Sequence, residues 1–110
     1  MSNFKGRVKK VTSKQKDQSE TETIVTISGD SNNHVYQVKV TYPSDLNPSV
    51  TPTICSYSEI QNGDRIFTDN SLTLDPSVGK SAKLLVIMED VNHIELGRAT
   101  ECVTIEENNL

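Results

Sequence analysis

Ser81–Val91, SAKLLVIMEDV, contains the only run of five apolar residues in the chain, Leu84-Leu85-Val86-Ile87-Met88. A strand that is apolar at every position, not at alternate ones, is normally covered on both faces or runs through the middle of a sheet. Five residues are too few to separate strand from helix by periodicity, so the surrounding sequence decides. As a strand, the stretch places Leu84, Val86 and Met88 on one side and Leu85 and Ile87 on the other. The reading predicts a central strand around which the rest of the chain packs.

The neighbours are β-type. Upstream, His34–Tyr42 (HVYQVKVTY) alternates cleanly, with Tyr36, Val38, Val40 and Tyr42 predicted toward the core and Val35, Gln37, Lys39 and Thr41 away from it. Thr21–Ser28 (TETIVTIS), Thr53–Gln61 (TICSYSEIQ), Asp64–Asp69 (DRIFTD) and Ser71–Asp75 (SLTLD) read as further strands. Asn62-Gly63 between two of them is the preferred pair for a two-residue hairpin turn. Pro43, Pro48 and Pro52 enclose a loop, because proline cannot serve a central ladder. Downstream, Arg98–Glu106 (RATECVTIE) closes the pattern with Ala99, Glu101, Val103 and Ile105 on one face. Phe4–Thr12 (FKGRVKKVT) is a half-exposed strand whose lysines suit a sheet edge. Ser13–Glu20 is polar throughout and reads as a connection, so residues 1–20 form a basic edge strand and its polar link. Residues 107–110 read as a frayed tail.

No amphipathic helix of ordinary length and no internal repeat is visible. Val and Ile outnumber Leu, and such β-branched residues fit a half-buried pleated surface. With 110 residues the chain is one domain, residues 1–110. About seven short strands with turn signals every 8–12 residues predict an all-β, antiparallel β-sandwich in a three-plus-four arrangement. This spacing resembles that of immunoglobulin and fibronectin type III domains in architecture. His34–Tyr42 would be strand C, Ser81–Val91 strand F and Arg98–Glu106 strand G. The tryptophan expected on strand C and the tyrosine near the start of strand F are missing, since the chain has no Trp and carries Lys83 and Leu84 at the latter place.

Charge is unevenly placed. Lys5, Arg7, Lys9, Lys10, Lys14 and Lys16 supply six of the eleven basic residues before the first acid, Asp17, and fifteen acids face five bases thereafter. A net charge of −4 argues against a nucleic-acid binder. The basic leader could instead meet an acidic partner or orient head-to-tail contacts between copies. No window approaches the ~18 apolar residues of a membrane span, and no signal-peptide core follows Met1. The sequence admits two locations: a cytoplasmic or intracellularly assembled protein, or an extracellular domain whose signal was removed. Cys55 and Cys102 are the only cysteines. They could bridge two sheets or stay free, and their spacing lacks the Cys-x-x-Cys clustering of a zinc or redox site.

The motifs that could carry chemistry are sparse. Gly79-Lys80-Ser81 looks like the end of a phosphate loop, but position 74 is Leu where a glycine is needed, and a β-rich run follows where a helix should open. It reads as a turn. His93 with Asp90 is the first place to look for catalysis, yet no nucleophile or metal set accompanies them. Acids crowd the turns, and Asp64, Asp69, Asp75 and Asp90 are weak calcium candidates, although Asp occupies turns for backbone reasons alone. No other cofactor is indicated. Tyr57 is the best exposed aromatic for a sugar platform.

The expected function is a non-enzymatic β-sandwich module for binding or assembly, with a protein partner or self-association, acting through loops or an edge strand. The candidate binding residues are Lys5, Arg7, Lys9 and Lys10 on the first strand and Asp45, Asn47 and Ser49 in the proline-flanked loop. The rivals are a structural or accessory subunit of a larger surface or virion assembly, and a loop-mediated enzyme inhibitor.

Overall fold

The computed structural model describes residues 3–17 and 19–108. The chain is all-β. Its strands are β1 (Arg7–Lys16), β2 (Glu20–Ser28), β3 (Gln37–Thr41), β4 (Thr53–Gln61), β5 (Asp64–Thr73), β6 (Ser81–Glu89), β7 (Glu95–Thr104) and β8 (Glu106–Glu107), with a 3-10 turn at Ser44–Leu46. They form one eight-stranded mixed sheet in the order β7-β6-β3-β4-β5-β2-β1-β8. Every pairing is antiparallel except β1 with β8. The sheet curls, so that β7, at one end of the order, passes beside β1 near the other with no ladder between them.

The opening stretch forms β6, hydrogen-bonded to β7 and β3. Leu84, Val86 and Met88 lie in the core, as the alternation predicts, while Leu85 and Ile87 are only half-buried on the outer face. The apolar run is therefore covered on one face, one strand from the sheet's end, and not on both faces. Val25, Ile27, Val38, Val40, Phe67, Leu72 and Ile105 complete the inner side, and Phe4, Val8, Leu96 and Val103 pack against it where β1 and β7 run together.

Several boundaries differ from the sequence expectation. β1 continues through the polar stretch to Lys16, because its inward positions Ser13 and Gln15 have hydrogen-bond partners in the core. A buried polar group is tolerated when bonded, so the strand persists where hydropathy stops reporting it. The two strands expected at 64–69 and 71–75 are one strand, β5, and Asn70-Ser71 form a bulge against β2 between the pairs Thr23↔Asp69 and Thr21↔Leu72. The expected frayed tail at 107–110 is ordered at its start. Glu107 pairs with Gln15, and the Asn108 N–H donates to the Gln15 carbonyl at 2.9 Å. Residues 109 and 110 lie outside the described residues. β8 thus covers Lys14 and Gln15, so β1 is not the outermost strand along its whole length.

The turns behave as their residues dictate. Asn62 and Gly63 join β4 to β5 with φ of 52° and 82°, the left-handed pair that a two-residue hairpin needs. Gly79 (φ +89°) ends a turn closed by Lys80 N–H to the Ser77 carbonyl, and β6 follows it, not a helix.

The two ends of the sheet are built differently. At one end Gln15 is buried. Its Nε2 donates to the Asp75 carbonyl at 3.0 Å, and its Oε1 accepts the Ser77 N–H at 2.7 Å. Nearby, Tyr42 donates to Ser13 Oγ at 2.8 Å and shares a 2.7 Å hydrogen bond with Thr23 Oγ1. Burial pushes the Tyr42 phenol up from its ordinary pKa, against those two hydrogen bonds. At the other end lie the loops after β2 and β6, the start of β5 and the end of β4.

Candidate functional site

Asp30 organises the second end. Its side chain is fully buried. Oδ1 accepts the His34 N–H at 2.8 Å, and Oδ2 accepts the Val35 N–H at 3.0 Å and Arg65 Nη1 at 2.5 Å. An Asp after a turn glycine captures backbone N–H groups a few residues on. Gly29 permits the turn: its φ is +77°, and a Cβ there would meet the Lys5 carbonyl oxygen at 2.8 Å. The capture sets the chain's direction. Val35 enters the core and Tyr36 leaves it, 55% exposed. This corrects the alternation read over His34–Tyr42, which holds for Val38, Val40 and Tyr42 but places Tyr36 and Val35 on the wrong sides. Regular pairing begins only at Gln37, so a period-two pattern carried beyond it inverts.

Arg65, in β5, completes the wall. Nη1 also donates to the Val35 carbonyl at 2.8 Å. The guanidinium carbon lies 4.9 Å from the centroid of the Tyr57 ring and 5.0 Å from that of Phe67, a separation at which a cation is attracted to the ring face. Tyr57 in turn meets Phe67 edge-on at 5.9 Å and remains 46% exposed. Tyr36 is held from the other side by His93, edge-on at 6.5 Å.

Between these rings opens a cleft of about 540 Å³ whose walls include Asn33, Tyr36, Ser56, Tyr57, Asp90 and Val91. That volume lies within the range of small-molecule sites, which are mostly apolar and aromatic with a few polar groups. A second, larger groove of about 640 Å³ crosses the outer face of β1, β2, β5 and β4, lined by charged and hydroxyl side chains, with Tyr57 on the boundary of both.

Beside the cleft, Glu89 is engaged by Lys39 at 2.9 Å and by Gln37 Nε2 at 3.0 Å. The Lys39 hydrogen bond holds the Glu89 carboxyl below its ordinary pKa, over the opposing effect of desolvation. His93 Nδ1 lies 3.3 Å from Gln37 Nε2 and 3.9 Å from Glu89 Oε1. Asp90 Oδ1 instead accepts the N–H groups of Asn92 and Ile94 at 2.9 and 3.0 Å, so the His93 ring is oriented by Glu89 and Gln37, not by Asp90.

The residues singled out in the sequence are dispersed. Lys5, Arg7, Lys9 and Lys10 are all exposed on or before β1. A bulge at Lys9, between the pairs Val8↔Ile27 and Lys10↔Thr26, turns both Lys9 and Lys10 outward. Lys9 binds Asp64 at 2.7 Å, and Lys10 lines the outer groove. Asp45, Asn47 and Ser49 sit at the opposite end from the cleft. Asp45 is exposed, Asn47 Nδ2 donates to Asp75 Oδ2 at 2.6 Å, and Ser49 Oγ accepts the Thr73 N–H at 3.0 Å. With Leu46 buried, that loop is pinned to the end of β5. The four carboxylates considered for calcium do not converge. Asp64 is held by Lys9, Asp69 accepts from Thr53 and Ser71, Asp75 accepts from Asn47, and Asp90 caps its own turn. Among the described residues no group of three or more His, Cys, Asp or Glu side chains is placed to hold a metal ion.

Cys55 and Cys102 are both free. Burial pushes the Cys55 thiol up to about 12, which leaves it protonated and unreactive at neutral pH. Cys102 is exposed on β7, opposite Lys83. No helix among the described residues is long and apolar enough to cross a membrane.

Asp30, Arg65 and Tyr36 escaped the sequence reading. Asp30 looked like an ordinary turn residue and Tyr36 like a core residue. A signal was present for Arg65: it is the only Lys or Arg between Lys39 and Lys80, and it directly precedes the apolar pair Ile66-Phe67 in a strand, where a half-buried cation needs a partner. No family model, curated protein or solved structure matches the chain.

Proposed function

We propose that the chain is a non-enzymatic binding module whose recognition surface is the Tyr36–Tyr57 cleft and its rim. The observation that carries this reading is where apolar side chains are exposed. Among the described residues eight large hydrophobic side chains are exposed, and three of them, Tyr36, Tyr57 and Val91, line that one cleft. Exposed apolar residues scattered singly need no explanation, whereas a grouped set around a concavity marks an interaction site. The rings are also held in place before any ligand arrives, which lowers the entropy lost on binding. The catalytic candidate weakens beside this, because His93 faces Gln37 and Glu89 and no nucleophile lies among its partners.

The strand order supports the finer architecture as well. The order β7-β6-β3 followed by β4-β5-β2-β1 is that of the two sheets of a constant-type immunoglobulin sandwich, with β4 joined to both. On this reading the cleft lies at the end of the sandwich where loops gather, the usual place for recognition on a rigid β scaffold.

The test is an NMR screen of the isotope-labelled chain against a small-fragment library. Fragments should move the amide signals of Asn33–Tyr36, Ser56–Tyr57 and Asp90–Val91, and a Tyr36→Ala/Tyr57→Ala variant should lose the response. A library that leaves those amides unmoved sinks the proposal.

A second reading rests on a different observation. The loop at 43–52 is fastened by Leu46, Asn47 and Ser49 while Val50 projects from it, 47% exposed. A rigid loop presenting one apolar side chain suits enzyme inhibition. Replacing Ser49–Thr51 with glycines should abolish any inhibition, and retained inhibition removes this reading.

A further inference from the structure

We infer that the ligand of the Tyr36–Tyr57 cleft is a neutral pyranose, presented as a free sugar or as the end of a glycan. The inference rests on the reading of the cleft as a binding site and adds the chemical class of the occupant. Three features of the cleft select it.

The first is the state of its polar groups. Around the cleft, Asp30, Gln37 and Glu89 are all engaged within the protein. The hydroxyls of Tyr36, Tyr57 and Ser56 and the side-chain amide of Asn33 are not hydrogen-bonded among the described residues. Hydroxyls and a primary amide both donate and accept. That set matches a ligand whose own rim is a series of hydroxyls, each donor and acceptor at once.

The second is the pairing of those groups with two exposed aromatic rings. A pyranose carries polarised C–H bonds on one face, and an aromatic ring presents a negative face to them. The ring orientations are already set, Tyr57 by Arg65 and Phe67 and Tyr36 by His93. Asp30 and Arg65 act here as positioning residues that do not meet the ligand through their bonded groups.

The third is charge. A cationic ligand would have to share Tyr57 with the Arg65 guanidinium, which already lies 4.9 Å from its ring centroid, and would be repelled by it. An anionic ligand would find the cation on the cleft wall, Arg65, already neutralised by Asp30 and its one unpartnered N–H, Nε, buried away from the opening, and it would approach the carboxylate of Asp90 on the rim. An uncharged ligand meets neither cost.

The experiment follows the full chain by NMR during titration with the methyl glycosides of glucose, galactose, mannose and N-acetylglucosamine, alongside a printed array of neutral and acidic glycans. Proline-rich peptide and tetramethylammonium serve as competing probes. The expected result is binding of at least one neutral sugar, with shifts confined to the Asn33–Tyr36, Ser56–Tyr57 and Asp90–Val91 amides. Tyr36→Ala should weaken it on the order of tenfold, and Tyr57→Phe, which keeps the ring but removes one of the matching hydroxyls, should weaken it by about two- to tenfold. Because Tyr57→Ala could loosen Arg65, Tyr36→Ala is the deciding variant: its ring packs only edge-on against His93. Cleft shifts with peptide or tetramethylammonium but no neutral sugar overturn the glycan assignment and leave the binding cleft standing. Acidic glycans bound in preference to neutral ones overturn it too. Sugar-induced shifts elsewhere on the protein overturn it, and no shift with any probe overturns both.

Discussion

Tyr42 and Tyr36 are six positions apart and lie at opposite ends of the same short strand. Tyr42 is 3% exposed, and its hydroxyl is bonded to Ser13 and Thr23. Tyr36 is 55% exposed, and its hydroxyl is bonded to nothing among the described residues. The difference extends to the two ends of the sheet. At the Tyr42 end, polar side chains serve to fasten loops, the buried Gln15 to Ser77 and Asp75 and, on the surface, Asn47 to Asp75 and Ser49 to Thr73. At the Tyr36 end, one buried pair, Asp30 with Arg65, does the fastening and leaves aromatic rings, hydroxyls and an amide facing outward. One end is closed for stability. The other is built firmly around an opening.

The largest effect should come from the pair that holds the open end. Arg65→Leu leaves Asp30 buried without its cation, although two backbone N–H groups still bond it. Removing one partner of a buried pair costs about 3–5 kcal/mol, and the surviving bonds favour the lower figure. Urea denaturation should show that loss, and a variant as stable as the parent would mean that the pair does not organise the cleft. Next is Gln15→Ala at the closed end. It leaves the Ser77 N–H without its partner and removes one of the two donors to the Asp75 carbonyl, to which Ser77 Oγ still donates, and should cost about 1–3 kcal/mol, with faster hydrogen exchange at Ser77 as the local signature.

A smaller contrast compares the tyrosines directly. Tyr42→Phe leaves the Ser13 and Thr23 hydroxyls without their shared partner in the core and should lower stability by about 1–2 kcal/mol. Tyr36→Phe should change it by less than about 0.5 kcal/mol. Equal effects in thermal melts would erase the distinction between the two ends. The smallest effect concerns Glu89, whose folded pKa lies below its ordinary value because of Lys39. A depressed carboxylate stabilises the fold above its unfolded pKa of 4.5 and loses that contribution as pH falls through the folded value. The melting temperature of Glu89→Gln should therefore lie below the parent's at pH 7, and the gap should narrow as the pH falls below 4.5. A constant gap from pH 7 to pH 3 would show that the Lys39 contact is not the cause.

Much of the fold was legible. The inward set Leu84, Val86 and Met88, the turn at Asn62-Gly63 and the strand at Thr21–Ser28 follow from side-chain period, β-type composition and turn chemistry. What failed did so where polar groups entered the core or the backbone left its period. Ser13 and Gln15 hid the second half of β1, because hydropathy cannot report a polar residue that is buried and bonded. Asn70 read as a strand end because a bulge and a break have the same composition. The candidate site was barely legible: Tyr57 was marked as the exposed aromatic, but its companions come from segments far apart in the chain. Tyr36 was placed in the core, because one carboxylate, Asp30, reverses the direction of the side chains that follow it.

By itself the amino-acid sequence determined that this is an all-β chain of short strands, where most of the turns fall, and which face of β6 is buried. Those properties are local, set by β-branched composition, a period of two and the backbone preferences of Gly, Asn and Pro. Only the tertiary structure decided the single curled sheet, the short β8 alongside β1, and the meeting of Asp30, Tyr36, Tyr57, Arg65 and Asp90 around one opening. Such meetings depend on register and on buried charge finding its partner across the fold, as Asp30 and Arg65 do from 35 positions apart. Periodicity along the chain carries no record of either.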